Sequence, residues 1–120
     1  NNVVLRLSEV YLIAAEAGCK LGGDAAVQGL GYLNEIVKRG NPDNEVTMAD
    51  YTLDRVLDER SKELVGEGHR FFDMRRFNLP IYKPMIDKTL DINDHHRIQP
   101  IPLSEMQGNP VIAKQQNSGY

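Results

Sequence analysis

The stretch Asp24-Ala-Ala-Val-Gln-Gly-Leu-Gly-Tyr-Leu-Asn-Glu-Ile-Val-Lys-Arg-Gly40 carries the cleanest periodicity in the chain. Ala26, Val27, Leu30, Leu33, Ile36 and Val37 recur at three- and four-residue spacing and share one face of a helix, with Glu35, Lys38 and Arg39 off it. Gly40 supplies the residue just past the end. Immediately upstream, over Leu5 to Leu21, Leu5, Leu12, Ala15 and the pair Ala14/Ala17 repeat at helical spacing, with Arg6, Glu9, Glu16 and Lys20 between them. Ser8 can cap a late start of this first helix, and Arg6-Leu7 can equally form its first turn. Gly22-Gly23-Asp24 provides a turn and an N-cap in three residues, so the two helices pack antiparallel. Gly29 and Gly31 each cost about 1 kcal/mol relative to Ala inside the second helix, which predicts an offsetting close approach to the small residues Ala14 through Gly18.

Downstream, Asn41-Pro42-Asp43-Asn44-Glu45 is a polar loop that the proline bars from continuing the helix. A third helix begins near Asp50 or Thr52. Its apolar stripe is Leu53, Val56, Leu57, Leu64 and Val65, and the rest is densely charged through Asp54, Arg55, Asp58, Glu59, Arg60, Lys62 and Glu63. Gly66-Glu67-Gly68 interrupts the pattern, and helical character resumes from His69 to Phe77, so residues 50–77 are expected as a kinked helix, with a kink or a short break at the glycines and then a final helix ending before Asn78 and Pro80. Residues 78–120, punctuated by Pro84, Pro100, Pro102, Pro110, Asn93-Asp94 and Gly108-Asn109, read as an extended, loop-rich tail with one helical turn opened by Ser104 as N-cap. So long a tail without long elements is expected to lie on a larger body. The fold class is all-α.

Composition bounds the function. With 120 residues, 41% hydrophobic, 26% charged and a net charge of −3, the chain is one globular domain at most. Its apolar runs fall short of the roughly 20 residues that cross a bilayer. The mild acidity argues against nucleic acid, which needs clustered Lys and Arg. Cys19, the single cysteine, reads as a small buried hydrophobe and leaves the redox compartment open. The opening Asn1-Asn2-Val3, without an initiator Met, reads as a processed product or a piece of something longer.

Constellations for chemistry are weak. His69 and Asp73 are four apart on one helix face, but two ligands complete no metal site, and adjacent His95-His96 cannot both point the same way. Glu59, Glu63 and Glu67 share a face, yet Arg60, Lys62 and Arg70 interleave with them, so an ion-pair lattice outweighs acid–base catalysis. Ser8, Ser61, Ser104 and Ser118 sit in no nucleophile context, and no phosphate-binding glycine fingerprint occurs. These residues predict no enzyme, no metal and no cofactor. Arg70, Arg75 and Arg76 are neutralised by Glu63, Glu67 and Asp73, which points to a polar network holding the kink. For sugar stacking the chain offers no Trp and eight other aromatics. Phe71, Phe72 and Tyr32 sit where a core would claim them, leaving Tyr51, Tyr82 and Tyr120 as a poor platform.

Several stretches together resemble the SusD/RagB family: Arg6-Leu-Ser-Glu-Val-Tyr-Leu-Ile-Ala-Ala-Glu-Ala17, Leu33-Asn-Glu-Ile-Val-Lys-Arg39, Leu57-Asp-Glu-Arg-Ser-Lys-Glu-Leu-Val-Gly-Glu-Gly-His-Arg-Phe-Phe-Asp-Met-Arg-Arg76, Pro100-Ile-Pro-Leu-Ser-Glu105, Asn109-Pro110 and Gln116-Asn-Ser-Gly-Tyr120. The resemblance covers essentially the whole chain and matches the C-terminal portion of those proteins. It implies a tetratricopeptide-like hairpin within a larger SusD-like α fold. It also implies a surface-exposed lipoprotein of the outer membrane that binds oligosaccharide or starch-like polysaccharide, without enzymatic activity, and lids a SusC-like TonB-dependent transporter. In that picture the helical pairs form a scaffold facing the transporter and the glycan contacts come largely from upstream loops, so no sugar-binding residue is assigned here. The structural motif implied is Glu59, Arg60, Glu63, Glu67, Gly68, His69, Arg70, Asp73, Arg75 and Arg76, with Glu67 and Arg70 expected to fix the break at Gly66 to Gly68. Ser118 departs from the family's usual Asn-Pro-Gly-Tyr ending, and Cys19, inside a helix, cannot stand in for the family's N-terminal lipid-bearing cysteine. The competing reading is a tetratricopeptide-like protein-binding adaptor, which calls for self-similarity near 34 residues over at least three units; one hairpin followed by a loop-rich tail fits it less well.

Overall fold

Helix α1 spans Leu7–Leu21 and helix α2 spans Gly23–Gly40 in the computed structural model, which describes residues 5–83, 87–90 and 97–120. One residue links them. Gly22 closes α1 by donating its N–H to the Gly18 carbonyl at 3.0 Å and opens α2 by accepting from the Ala26 N–H at 3.2 Å. Its φ of 74° lies in the left-handed region, while a β-carbon there would meet nothing, so the demand for glycine is conformational rather than spatial. Asp24 therefore stands inside the first turn of α2, where its charge complements the helix dipole, and Gly22 takes the capping position. At the other end Asn41 is the C-cap and Gly40 the last helical residue.

The antiparallel pairing brings Gly18 and Gly29 face to face. A β-carbon on Gly29 would lie 3.1 Å from the Gly18 Cα and 3.3 Å from the Ala15 carbonyl oxygen, and would strike the Tyr51 hydroxyl. Gly29 is thus offset by the close approach its position in the helix predicts, whereas Gly31 faces open space and has no such compensation.

Helix α3 (Leu53–Glu63) starts at Thr52, whose hydroxyl accepts from the Arg55 N–H at 3.2 Å. It completes the core of the first compact unit, residues 1–72. Leu12 and Ala15 of α1, Leu33, Ile36 and Val37 of α2, Val56 of α3, and Val46, Tyr51 and Leu64 from the connections make this core. Each fully buried aliphatic side chain contributes about 1.5–3 kcal/mol. The loop enters the core because the Asn34 side chain binds both polar groups of Val46, donating to its carbonyl at 3.0 Å and accepting from its N–H at 2.8 Å. Tyr51 donates its hydroxyl to the Ala15 carbonyl, and burial pushes its pKa up.

Within residues 50–77 the interruption is a short break, a turn over 64–68 that separates α3 from α4 (His69–Phe77). Two expectations change here. Tyr32, Phe71 and Phe72 are exposed, while Tyr51 is a core residue. The polar residues Ser8, Glu9 and Glu16 of α1 are buried, and Leu5, Leu7, Val10 and Ile13 face outward; Val27 and Val65 are likewise exposed. Periodicity reports which residues share a face, and only packing decides which face is covered.

The second compact unit comprises residues 73–120. It contains a short antiparallel pair, β1 (Ile81–Lys83) and β2 (Lys88–Leu90), with Ile81 opposite Leu90, Tyr82 opposite Thr89 and Lys83 opposite Lys88. Three-residue strands are too short to show alternation, so the sequence reads as extended tail there. Helix α5 (Leu103–Gly108) is capped by Pro102, which places Ser104 in the first turn instead of at the cap. Side-chain amides tie this region together: Gln116 accepts from the Ile101 N–H at 2.9 Å and donates to the Ile101 carbonyl at 3.0 Å, and Asn117 donates to the Gln99 carbonyl at 2.7 Å. Apart from β1 and β2, the regular elements among the described residues are helices, and the chain is all-α in class.

Candidate functional site

The densest polar constellation of the first unit gathers at the N-terminal end of α1. Arg6 stands at the N-cap of α1 in extended conformation. Its Nε donates to both carboxylate oxygens of Glu67 at 2.9 and 3.0 Å, and its terminal nitrogens reach the Glu63 carboxylate and the Glu63 backbone carbonyl. Arg39, in the last turn of α2, donates to the Ser8 hydroxyl at 3.0 Å and to the same Glu63 carboxylate. Glu9 of α1 lies 3.4 Å from Nδ1 of His69 at the start of α4.

The electrostatics follow from this geometry. Burial opposes ionisation of Glu63, but hydrogen bonds from Arg39, Arg6 and Ser8 outweigh it and pull its pKa from 4.5 down to about 2. The hydrogen bond from Arg6 also holds Glu67 below the usual carboxylate range, and Arg6 is raised in return. Charge-assisted bonds of this kind fix orientation as well as adding stability. One guanidinium thus joins α1 to the end of α3 and to the following turn, and a second joins α2 to α1 and to the end of α3. Within the turn, Gly66 and Gly68 have φ of 79° and 80°, a conformation that side-chain-bearing residues rarely adopt, and the Glu67 N–H donates to the Leu64 carbonyl at 3.1 Å.

Of the motif residues expected from sequence, Glu63, Glu67 and His69 come together in this cluster, and Gly68 shapes the turn beside it. Glu67 takes Arg6 as its partner, not Arg70, which is exposed and forms no ion pair among the described residues. Glu59 pairs within its own helix to Arg55 at 2.8 Å, and Arg60 is buried. In α4, Asp73 is buried and held by Arg76 at 2.7 Å, and Arg75 is half-buried. Arg6, Ser8 and Arg39 lie in the family-like stretches without being singled out by local spacing. Arg6 is separated from Glu63 by 57 residues and Arg39 by 24, so no window of sequence contains both partners.

The arrangement suits holding helices more than handling substrate. A carboxylate with a pKa near 2 stays ionised at neutral pH and is a poor proton donor. His69 turns to Glu9, no three metal-ligating side chains cluster among the described residues, and His95 and His96 lie outside them. An open groove of about 420 Å³ is lined by Asn44, Glu45, Val46, Asp50, Arg55 and Lys62. Its charges are occupied, Glu45 by Lys38 at 2.9 Å and Lys62 by Asp58 at 2.6 Å, and no aromatic ring lines it. Two aromatic pairs lie toward the surface, half-buried Tyr11 with exposed Tyr32 at 5.4 Å between centroids and exposed Phe71 edge-on to Phe72 at 5.7 Å. Cys19 is a free, half-buried thiol 3.9 Å from the Tyr51 carbonyl oxygen. Among the described residues, no helix is long and apolar enough to cross a membrane.

Comparison with known proteins extends this picture. The sequence profile of the SusD family matches residues 1–120. A SusD-like protein of Formosa agariphila is 33% identical across the whole chain, which covers 25% of that protein. The starch-binding protein SusD of Bacteroides thetaiotaomicron is 32% identical over 98% of the chain, which covers 21% of that protein. The crystal structure of a SusD superfamily protein from Bacteroides vulgatus matches with a TM-score of 0.85 and 68% identity, over all of this chain and 28% of that one. The chain therefore spans about a quarter of the length of these relatives.

Proposed function

The chain belongs to the SusD family, and from that premise we propose that it is the C-terminal, scaffold-forming portion of a glycan-binding protein of the outer membrane. In this reading the full-length protein is a surface lipoprotein that binds oligosaccharide or starch-like polysaccharide and passes it to a SusC-like TonB-dependent transporter, without cleaving it. The observation that carries the reading is the family match along all 120 residues, joined to a relative whose name records starch binding.

The side-chain chemistry supports a scaffold role for this portion. Sugars bind by stacking on an open aromatic face flanked by free planar polar groups. The groove beside α3 lacks such a face, and Glu63, Glu67, Arg6 and Arg39 are engaged with one another. We assign Glu63, Glu67 and His69 to clamping the hairpin, α3 and the glycine turn together.

Affinity electrophoresis tests the reading. The full-length protein is expected to be retarded in a native gel cast with starch or another α- or β-glucan, while residues 1–120 alone migrate as in a blank gel. Retardation of residues 1–120 would place a glycan site inside this portion and overturn the scaffold assignment. Failure of the full-length protein to bind across a panel of polysaccharides, together with capture of a peptide, would favour the adaptor. For delivery, the tagged full-length protein is expected to co-purify from outer membranes with a TonB-dependent barrel; recovery without one would refute that step.

A further inference from the structure

The glycine turn grips the start of α1 at two points. Glu67 and His69 flank Gly68, whose φ of 80° turns the chain between them, and they meet Arg6 and Glu9, which stand about one helical turn apart at the N-cap and in the first turn of α1. The charges cross in sign. The α1 side offers a cation and then a carboxylate, and the turn offers a carboxylate and then a histidine. The two grips differ in how they answer to pH. A guanidinium is always protonated in proteins, and the hydrogen bond from Arg6 holds Glu67 below the usual carboxylate range, so the first grip is constant through the neutral range. The second depends on an imidazole, the one side chain whose ordinary charge change falls between about pH 5 and 8.

Burial of Glu9 makes that charge matter. Its side chain is 12% exposed, and among the described residues His69 is the cation that reaches it. Nδ1 of His69 lies 3.4 Å from the Glu9 carboxylate, beyond the roughly 2.7–3.2 Å of an N–H···O hydrogen bond. The attraction therefore comes from the charge on the ring and not from a hydrogen bond that a neutral ring could also donate. The neighbouring charges are already matched. Glu63 at the end of α3 is shared by Arg6 and by Arg39 of α2, Glu67 is taken by Arg6, and Asp73, one turn along α4, is held by Arg76. Arg70, next to His69, is exposed. A neutral ring thus leaves Glu9 as a carboxylate out of water without a counter-charge, which is costly.

We propose that Glu9 and His69 form a proton-operated catch, which closes the glycine turn and the start of α4 on α1 when the imidazole is charged and loosens them when it is neutral. The sign is that of a base that gains its partner on folding: the contribution is complete where the ring is charged and is lost as pH rises. Arg6 with Glu63 and Glu67 is the constant fastening beside it, so loss of the proton opens residues 66–70 locally and leaves the hairpin folded. The inference goes beyond glycan binding and stands or falls independently of it.

Peptide-resolved hydrogen exchange on the full-length protein tests the catch, with labelling times scaled to the intrinsic exchange rate at each pH. Residues 66–70 are expected to be about fivefold better protected at about pH 5.5 than at about pH 8.5, while the cores of α1 and α2 keep the same protection at both. In His69→Gln and in Glu9→Gln the difference is expected to disappear. The first of these variants also separates His69 from His95 and His96, which titrate in the same interval. Equal protection of residues 66–70 at both pH values in the wild type would overturn the proposal, and this measurement stands by itself if a variant fails to fold. A pH difference that survives in either folded variant, or one spread evenly over α1 and α2, would overturn it as well.

Discussion

Replacing Glu63 by Gln tests the clamp most directly, because the side chain keeps its volume while it loses its charge and exchanges one acceptor oxygen for an amide NH2. Glu63 is mostly buried, with 15% of its side chain exposed, and accepts from both Arg6 and Arg39. The fall of its pKa from 4.5 to about 2, at about 1.4 kcal/mol per unit, corresponds to about 3 kcal/mol of stability at neutral pH. Arg39 is more than half exposed, so solvent screening trims the expected loss to about 2 kcal/mol. The sign is that of a carboxylate depressed by folding. Its contribution is complete above the unfolded value of 4.5 and disappears as pH falls through about 2. Urea unfolding followed by far-ultraviolet circular dichroism, on wild type and Glu63→Gln at about pH 7 and about pH 2, reads both quantities. Wild type is expected to be more stable by about 2 kcal/mol at the higher pH, with the difference nearly gone at the lower one. A gap under about 0.5 kcal/mol at pH 7, or an equal gap at both pH values, would refute the clamp.

Further outcomes follow from the packing of the first unit. Gly29→Ala is expected to destabilise by about 2 kcal/mol through collision with Tyr51 and Gly18, whereas Gly31→Ala should stabilise by about 0.5–1 kcal/mol; equal effects in urea unfolding would contradict the close approach. Asn34→Leu leaves both polar groups of the buried Val46 unpaired and should cost about 2–3 kcal/mol, with faster amide exchange at Val46 as the local readout. Thr52→Ala removes the cap of α3 and should cost about 1 kcal/mol in thermal unfolding.

Much of the helical architecture was legible because its causes are local. The three- and four-residue repeat over Ala26 to Val37, the glycines at the α1–α2 turn and the capping Thr52 each act within a few residues, so the antiparallel hairpin and the start of α3 can be read directly. The pairing of Gly29 with small residues of α1 was also readable, since a glycine inside a helix calls for a compensating contact. Residues 64–68 were recognisable as an interruption through Gly66 and Gly68, but whether the helix bends or stops depends on the Leu64 and Glu67 hydrogen bonds, which spacing does not specify. The hairpin of β1 and β2 and the amide ties of Gln116 and Asn117 escaped because they show no periodicity.

By itself the sequence determined the helical class, the order of the helices and the residues that carry the family likeness, all properties of neighbouring positions along the chain. Only the tertiary structure decided that Arg6 and Arg39 meet on Glu63 across 57 and 24 residues, that Tyr51 is inside while Phe71 and Phe72 are outside, and that α1 buries Glu9 and Glu16 and shows Leu7 and Leu21. The physical reason is that a periodic pattern fixes which side chains share a face, while the partner that covers each face is selected by packing among segments distant in sequence.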